Sequence, residues 1–217
     1  MTTAAVAESP VAVFGGTFDP VHNGHLRSAL ELAETLNLAN VRMMPCANPP
    51  HRAAPGVSAE HRAAMLELAV DRDEHLSCDR RELNRDGRSY TIDSLIELRG
   101  ELGAQRSLIL VMGCDALLGI TGWHRWDELL QWAHVVVVAR PGWQLPARGP
   151  VADWVNQHSV DNVALLNTAA AGYVLLQELR QLPISASEIR ALVAAGKSAR
   201  FLLPEPVLDY ILKNQLY

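Results

Sequence analysis

The chain has 217 residues, of which 49% are hydrophobic and 20% charged, and this length suffices for one domain with a full core. The formal net charge of −5 at pH 7 argues against a large nucleic-acid-binding surface, and no apolar run approaches the roughly 18–20 residues that cross a bilayer. We therefore expect neither nucleic acid nor membrane as a partner. Three cysteines without a CxxC pair, and a start without the features of a signal peptide, predict a cytoplasmic protein.

Strand-like and helix-like segments alternate along the chain. Apolar runs predict strands at residues 11–14, 41–44, 76–78, 108–112, 135–139 and 173–176. Helical spacing predicts helices at residues 26–36, 58–71, 91–101, 187–195 and 206–212. This alternation predicts an α/β fold, a Rossmann-like doubly wound parallel sheet in a single domain over residues 1–217, with residues 1–10 as a flexible N-terminus. In such sheets, ligands bind beyond the carboxyl ends of the strands, at the switch point.

The most informative motif is GGTFDPVHNGHL, which directly follows the first predicted strand and leads into a helix. A helix N-terminus offers unpaired N–H groups and a partial positive charge, so this position favours phosphate. His22 and His25 can donate hydrogen bonds to phosphate oxygens, and Gly24 leaves room for a nucleotide between them. The expected nucleotide-binding positions in the preceding loop are Gly15, Gly16, Thr17 and Phe18.

A second anion site is predicted near the other end of the chain, in LPISASEIRALVAAG. Ser185 or Ser187 can cap a helix there, and Arg190 lies three residues after Ser187. A hydroxyl, a helix N-terminus and a guanidinium would then converge on phosphate. The alternative is a plain capped amphipathic helix with a surface arginine.

Both motifs resemble signatures of the nucleotidyltransferase superfamily, HxGH and a Ser-x-Ser/Thr-x-x-Arg helix start. Members transfer a nucleoside monophosphate from a triphosphate and release pyrophosphate, which requires positioning and electrostatic stabilisation and no covalent nucleophile. The resemblance implies that His22, His25 and Arg190 are catalytic, with Ser187 and Arg190 holding the departing pyrophosphate. This chain has Ser187 where the family more often has threonine, and the hydroxyl is retained.

Four further stretches resemble the bacterial nicotinate-nucleotide adenylyltransferase family. NPPHR implies an acceptor-phosphate site with Asn48, His51 and Arg52. RSYTIDSL implies acceptor contacts from Tyr90 and Thr91, the latter near the pyridine carboxylate. GCDALLGITGWHRW implies that Gly113 contacts ATP and that Asp115 binds its ribose. It also implies that Trp123 stacks on the pyridine ring, while a backbone N–H near His124 binds the pyridine carboxylate. VVVVARPG implies that Arg140 lines the nucleotide site. The competing interpretations are a helix cap for Thr91 or Asp115, core packing for Trp123, and a mobile loop with incidental charge for NPPHR.

The resemblance implies a reaction of ATP with nicotinate mononucleotide that gives nicotinate adenine dinucleotide and pyrophosphate. Mg²⁺ would arrive with the triphosphate, without a dedicated metal site in the protein. The same chemistry on nicotinamide mononucleotide or phosphopantetheine is the alternative, and a non-catalytic nucleotide sensor is a more distant one. The oligomeric state, homo-oligomer included, stays open, as do the role of residues 144–170 and closure of the loop at residues 45–57.

Overall fold

The fold is built on a seven-stranded, entirely parallel sheet with the strand order β3-β2-β1-β4-β5-β7-β6. The computed structural model describes residues 9–48, 56–180 and 182–217. The strands are β1 Val11–Gly16, β2 Asn40–Pro45, β3 Leu76–Cys78, β4 Leu108–Gly113, β5 His134–Ala139, β6 Ser159–Val160 and β7 Val174–Glu178. All six predicted strands are present, to within two residues at their ends. The short β6 was not predicted, because two residues carry no periodicity.

The helices are α1 Asn23–Thr35, α2 Ala59–Val70, α3 Thr91–Leu102, α4 Cys114–Leu118, α5 Leu129–Trp132, α6 Pro150–His158, α7 Ala186–Ala194 and α8 Glu205–Lys213. Helices α1 to α6 lie between successive strands, and α7 and α8 follow the last strand. The five predicted helices are confirmed, although α1 begins at Asn23, three residues before the first apolar position. The prediction missed α4 and α5, which are too short to show a helical period, and α6, which lies in the unassigned residues 144–170. None of the described helices has the length and apolar character needed to cross a membrane.

The strands bury both of their faces, which is why their sequences are nearly continuous apolar runs. Alternate residues of β1, β4 and β5 contribute to two separate cores. The first core packs against α1, α2, α7 and α8, and the second packs against α3, α4, α5 and α6. The sheet is therefore covered by helices on both sides, and the doubly wound prediction is confirmed.

The switch point lies between β1 and β4. Residues of β1 pair with β2 on one side and with β4 on the other, so the connections after β1 and β4 leave toward opposite faces. The two loops separate at the carboxyl edge and leave a crevice there. The first histidine motif and the segment that begins at Gly113 both lie at this crevice.

Candidate active site

The two motif histidines lie at the N-terminus of α1 with their rings stacked. His22 is the N-cap residue, and the His22 and His25 ring centroids are 3.7 Å apart with 26° between the planes. Gly24 between them has a steric role. A Cβ atom on Gly24 would lie 3.0 Å from the His22 imidazole, so glycine makes room for that ring. The role predicted for Gly24 from the sequence was different, namely to leave room for a nucleotide.

Burial keeps both imidazoles neutral. Desolvation lowers the pKa of His22 to about 4, and desolvation together with the charge of His22 lowers the pKa of His25 to about 3. The Nδ1 atoms of both rings are buried and have no hydrogen-bond partner among the described residues. The two rings are therefore neutral imidazoles with unused hydrogen-bonding capacity.

Phe18 supports the histidine pair from below. It is 2% exposed, its backbone is left-handed with φ +49°, and its ring meets that of His25 edge-on at 5.1 Å. A Cβ atom on Gly16 would lie 2.7 Å from the Phe18 ring, so glycine is required there for packing. A Cβ atom on Gly15 would meet nothing within 4 Å, so packing places no such demand on that position.

The second motif reaches the first. Ser185 is the N-cap of α7 and accepts a hydrogen bond from the Glu188 N–H at 3.2 Å, which decides between the two predicted caps. Ser187 is exposed in the first turn. The Arg190 Nη1 atom donates to the Asp19 carbonyl at 2.6 Å, so the guanidinium lies beside the histidine loop although 171 positions separate the two residues.

The loops after β4 and β5 bring another predicted pair together. Gly113 is the N-cap of α4, and Asp115 lies in its first turn, so Asp115 is not a helix cap. The Asp115 carboxylate lies 3.9 Å from the Arg140 guanidinium, and both side chains are largely exposed, at 91% and 73%. The two residues stand at adjacent strand ends, open to a ligand.

A second cluster contains most of the predicted acceptor residues. The Asn48 N–H donates to the Ser89 hydroxyl, and the Ser89 N–H donates to the Asn48 carbonyl, both at 3.1 Å. Tyr90 is the N-cap residue of α3 and Thr91 its first residue, so Thr91 is not the cap. The rings of Tyr90 and His124 lie 4.4 Å apart.

Trp123 lies next to this cluster. It is half-buried and packs against the core on the α3 side of the sheet, which leaves part of the indole accessible. The backbone N–H of Trp123 donates to the Ile120 carbonyl at 2.8 Å. The backbone N–H of the next residue, His124, is therefore the candidate donor to a ligand. His51 and Arg52 lie outside the described residues.

Sequence reasoning missed Arg62, which is fully buried in α2 beneath the site. Its guanidinium donates to the Thr17 carbonyl at 2.7 Å and to the Ala47 carbonyl at 3.2 Å. It thereby joins the loops after β1 and β2, and burial lowers its pKa. A signal was present, since Arg62 stands four positions before buried Leu66 on the apolar face of α2.

Within the described residues, no group of three or more His, Cys, Asp or Glu side chains is arranged to hold a metal ion. Candidate phosphate-binding groups that meet at the switch point of a doubly wound sheet are typical of the class of Rossmann-like nucleotidyltransferases.

Comparisons with known proteins specify the class further. The family model described as cytidylyltransferase-like matches residues 13–192. A relative from Cellvibrio japonicus (strain Ueda107), named a probable nicotinate-nucleotide adenylyltransferase, is 51% identical over 95% of this chain and 98% of its own length. A relative of the same name from Pseudomonas putida (strain W619) is 46% identical over 98% of this chain and 97% of its own. The chain belongs to the nicotinate-nucleotide adenylyltransferase family.

Solved structures show the same fold at low sequence identity. The Plasmodium falciparum nicotinic acid mononucleotide adenylyltransferase, complexed with NaAD, superposes with a TM-score of 0.69 at 16% identity and covers 96% of this chain and 97% of its own. A nicotinate-nucleotide adenylyltransferase structure from Vibrio parahaemolyticus gives a TM-score of 0.58 at 13% identity, over 94% and 99% of the two chains. The Rossmann-like expectation is thus confirmed.

Proposed function

We propose that this chain transfers AMP from ATP to nicotinate mononucleotide and releases pyrophosphate, which makes nicotinate adenine dinucleotide for NAD biosynthesis. The observation that carries this proposal is the stacked pair of His22 and His25 at the switch point, with Arg190 beside their loop. This arrangement gathers phosphate donors from both ends of the chain at one crevice. The names of the relatives, at 41–51% identity, support the choice of acceptor.

The reaction needs no covalent intermediate. A phosphate oxygen of the acceptor attacks the α-phosphorus of ATP in line, the new O–P bond forms, and the bond to the bridging β-phosphate oxygen breaks. His22 and His25 donate hydrogen bonds to the α-phosphate oxygens as charge develops on them. Arg190 and the first turn of α7, with Ser187, hold the pyrophosphate that leaves. ATP brings Mg²⁺ as part of the substrate.

The remaining assignments divide between two subsites. We assign the ATP side to Gly15, Gly16, Thr17, Phe18, Gly24, Gly113, Asp115, Arg140 and Ser185. We assign the acceptor side to Asn48, His51, Arg52, Tyr90, Thr91, Trp123 and His124. The contact between the Tyr90 and His124 rings supports the acceptor cluster, since it joins two motifs that lie 34 positions apart in the chain.

The decisive experiment measures pyrophosphate release with Mg-ATP and either nicotinate or nicotinamide mononucleotide. We expect a strong preference for the acid, because backbone donors arranged for a carboxylate lose their partner when the amide binds. An equal or reversed preference between the two mononucleotides would still support adenylyl transfer, but it would overturn the residues assigned to the acceptor site. Turnover only with phosphopantetheine would overturn the substrate, and ATP binding without any turnover would favour the sensor alternative.

A further inference from the structure

Asp19, within the histidine loop, is the centre of a small hydrogen-bond network. Its side chain is 9% exposed, and its Oδ2 atom accepts the Gly56 N–H at 3.1 Å. Its Oδ1 atom accepts the Tyr217 hydroxyl at 2.6 Å. Its backbone carbonyl accepts the Arg190 guanidinium at 2.6 Å. Asp19 is therefore hydrogen-bonded to Arg190, to Gly56 at the end of the loop after β2, and to the Tyr217 hydroxyl.

Tyr217 is brought to Asp19 by the way α8 ends. Gln215 is left-handed, with φ +53°, and its N–H donates to the Leu212 carbonyl at 3.3 Å. The Leu216 N–H donates to the Ile211 carbonyl at 3.0 Å, which completes a Schellman motif. Because Leu216 is buried in the core, the chain turns inward and Tyr217 reaches the loop.

The arrangement of charges explains what the hydroxyl does. The Arg190 guanidinium lies 3.9 Å from the Asp19 carboxylate but bonds to the neighbouring carbonyl, so the two charges are close without a direct hydrogen bond. The carboxylate is bonded instead by two neutral donors, Gly56 and Tyr217. Burial and the adjacent Asp19 carboxylate raise the pKa of Tyr217, so its hydroxyl stays protonated and remains a donor.

We propose that Tyr217 is a positioning residue: its hydroxyl satisfies the Asp19 carboxylate and thereby keeps the Arg190 guanidinium available to the pyrophosphate group. This inference rests on the proposed role of Arg190 in phosphate binding. Without the hydroxyl, the nearly buried Asp19 carboxylate loses a donor, and the Arg190 guanidinium, 3.9 Å away, is close enough to replace it. A direct ion pair would then compete with the pyrophosphate for Arg190.

The test compares two tyrosine-to-phenylalanine variants by calorimetric binding of Mg-pyrophosphate and of Mg-ATP without acceptor. Tyr217→Phe should weaken both affinities about tenfold, the scale of one hydrogen bond to a charged group. Tyr210→Phe is the matched control, because its hydroxyl bonds His61 on α2 at 3.0 Å, away from Asp19. The control should leave both affinities within about twofold of the wild type, since changes at unconnected sites do not couple.

Two double-mutant cycles distinguish positioning from a general loss of structure. In an Arg190→Gln background, and separately in an Asp19→Asn background, adding Tyr217→Phe should change pyrophosphate affinity less than about twofold. The proposal would be overturned if the effects of the paired substitutions on pyrophosphate affinity were fully additive. It would also be overturned if Tyr217→Phe and Tyr210→Phe weakened binding equally, or if the wild-type chain did not bind pyrophosphate. Because binding is measured without acceptor, a chain that binds Mg-ATP but does not use nicotinate mononucleotide refutes the proposed reaction and leaves this test intact.

Discussion

At the scale of single residues, the histidine pair gives the clearest prediction. His25→Ala should lower kcat by about 10²–10³-fold, because it removes one preorganised donor to the transition state. Mg-ATP affinity should change much less, since that donor bonds most strongly to charge that develops during the reaction. The measurement is steady-state pyrophosphate release, with exposed His75→Ala as the control. A His25→Ala variant with near wild-type turnover would contradict the assignment.

The same pair predicts how stability depends on pH. His22 and His25 titrate at about 4 and 3 in the folded chain, against 6.5 as the reference value. Below pH 6.5, the unfolded chain therefore binds protons that the folded chain does not. The linkage therefore costs no stability above about pH 6.5, and it lowers the free energy of unfolding progressively as the pH falls from 6.5 to about 3.

Urea unfolding at a series of pH values tests this linkage. The free energy of unfolding should decline less steeply between pH 6.5 and 4.5 in His25→Gln than in the wild type, because the variant has one fewer depressed group. Comparison of the two slopes cancels the titration of the carboxylates, which both proteins share. Identical slopes would show that His25 is not held neutral by folding.

Sequence motifs singled out the candidate site residues, but they did not predict how those residues interact. Ser185, Arg190, Tyr90 and His124 were all singled out by motif, and the structure brings the last two together. The Asp19–Tyr217 bond was not predictable, because it joins residues 198 positions apart and follows from the direction in which α8 ends. Motif spacing specifies local geometry, whereas such contacts depend on the packing of the whole chain.

At the scale of elements, the two serines at the start of α7 should affect stability differently. Ser185 caps the helix whose N-terminus we assign to the ATP side, whereas Ser187 is exposed and is a candidate phosphate ligand. Ser185→Ala removes the hydroxyl that caps the Glu188 N–H and should lower the free energy of unfolding by about 1 kcal/mol. Ser187→Ala, two residues later and exposed, should leave stability unchanged and weaken Mg-ATP binding instead. Thermal unfolding and ATP titration of both variants would check this, and a destabilised Ser187→Ala with normal ATP affinity would contradict it.

The segment at residues 144–170, which carries no recognised motif, has a structural role. Within it, α6 places buried Trp154 edge-on against Trp126, with ring centroids 5.9 Å apart. Trp126 belongs to the same short turn as Trp123, so α6 supports one wall of the proposed acceptor pocket. Val151, Trp154 and Val155 have helical spacing, so a signal for this helix was present in the sequence.

At the scale of the whole molecule, the sheet order explains why one crevice collects residues from every part of the chain. Continuous apolar runs predicted the strands, because a parallel sheet covered on both faces requires such runs. The order of those strands, with β1 beside β4, is a consequence of long-range packing. Only the general rule for doubly wound sheets let the sequence predict that the motif loops share one edge.

Arg62 holds the loops after β1 and β2 together in this architecture, and its removal should affect the molecule as a whole. Arg62→Met keeps much of the side-chain volume and removes the two guanidinium hydrogen bonds to the Thr17 and Ala47 carbonyls. We expect the free energy of unfolding to fall by about 2–4 kcal/mol, since two part-buried hydrogen bonds from a charged donor are lost and each contributes on the order of 1–2 kcal/mol. Urea denaturation measures this directly.

The exposed Arg72→Met is the matched control and should change stability by less than about 0.5 kcal/mol. Because Arg62 supports both loops, the KM values for ATP and for the acceptor should rise together in Arg62→Met. A rise in only one of them would show that the two loops are held independently. Unchanged stability would mean that water or neighbouring donors satisfy the two carbonyls, and that the buried guanidinium is not what keeps the subsites in register.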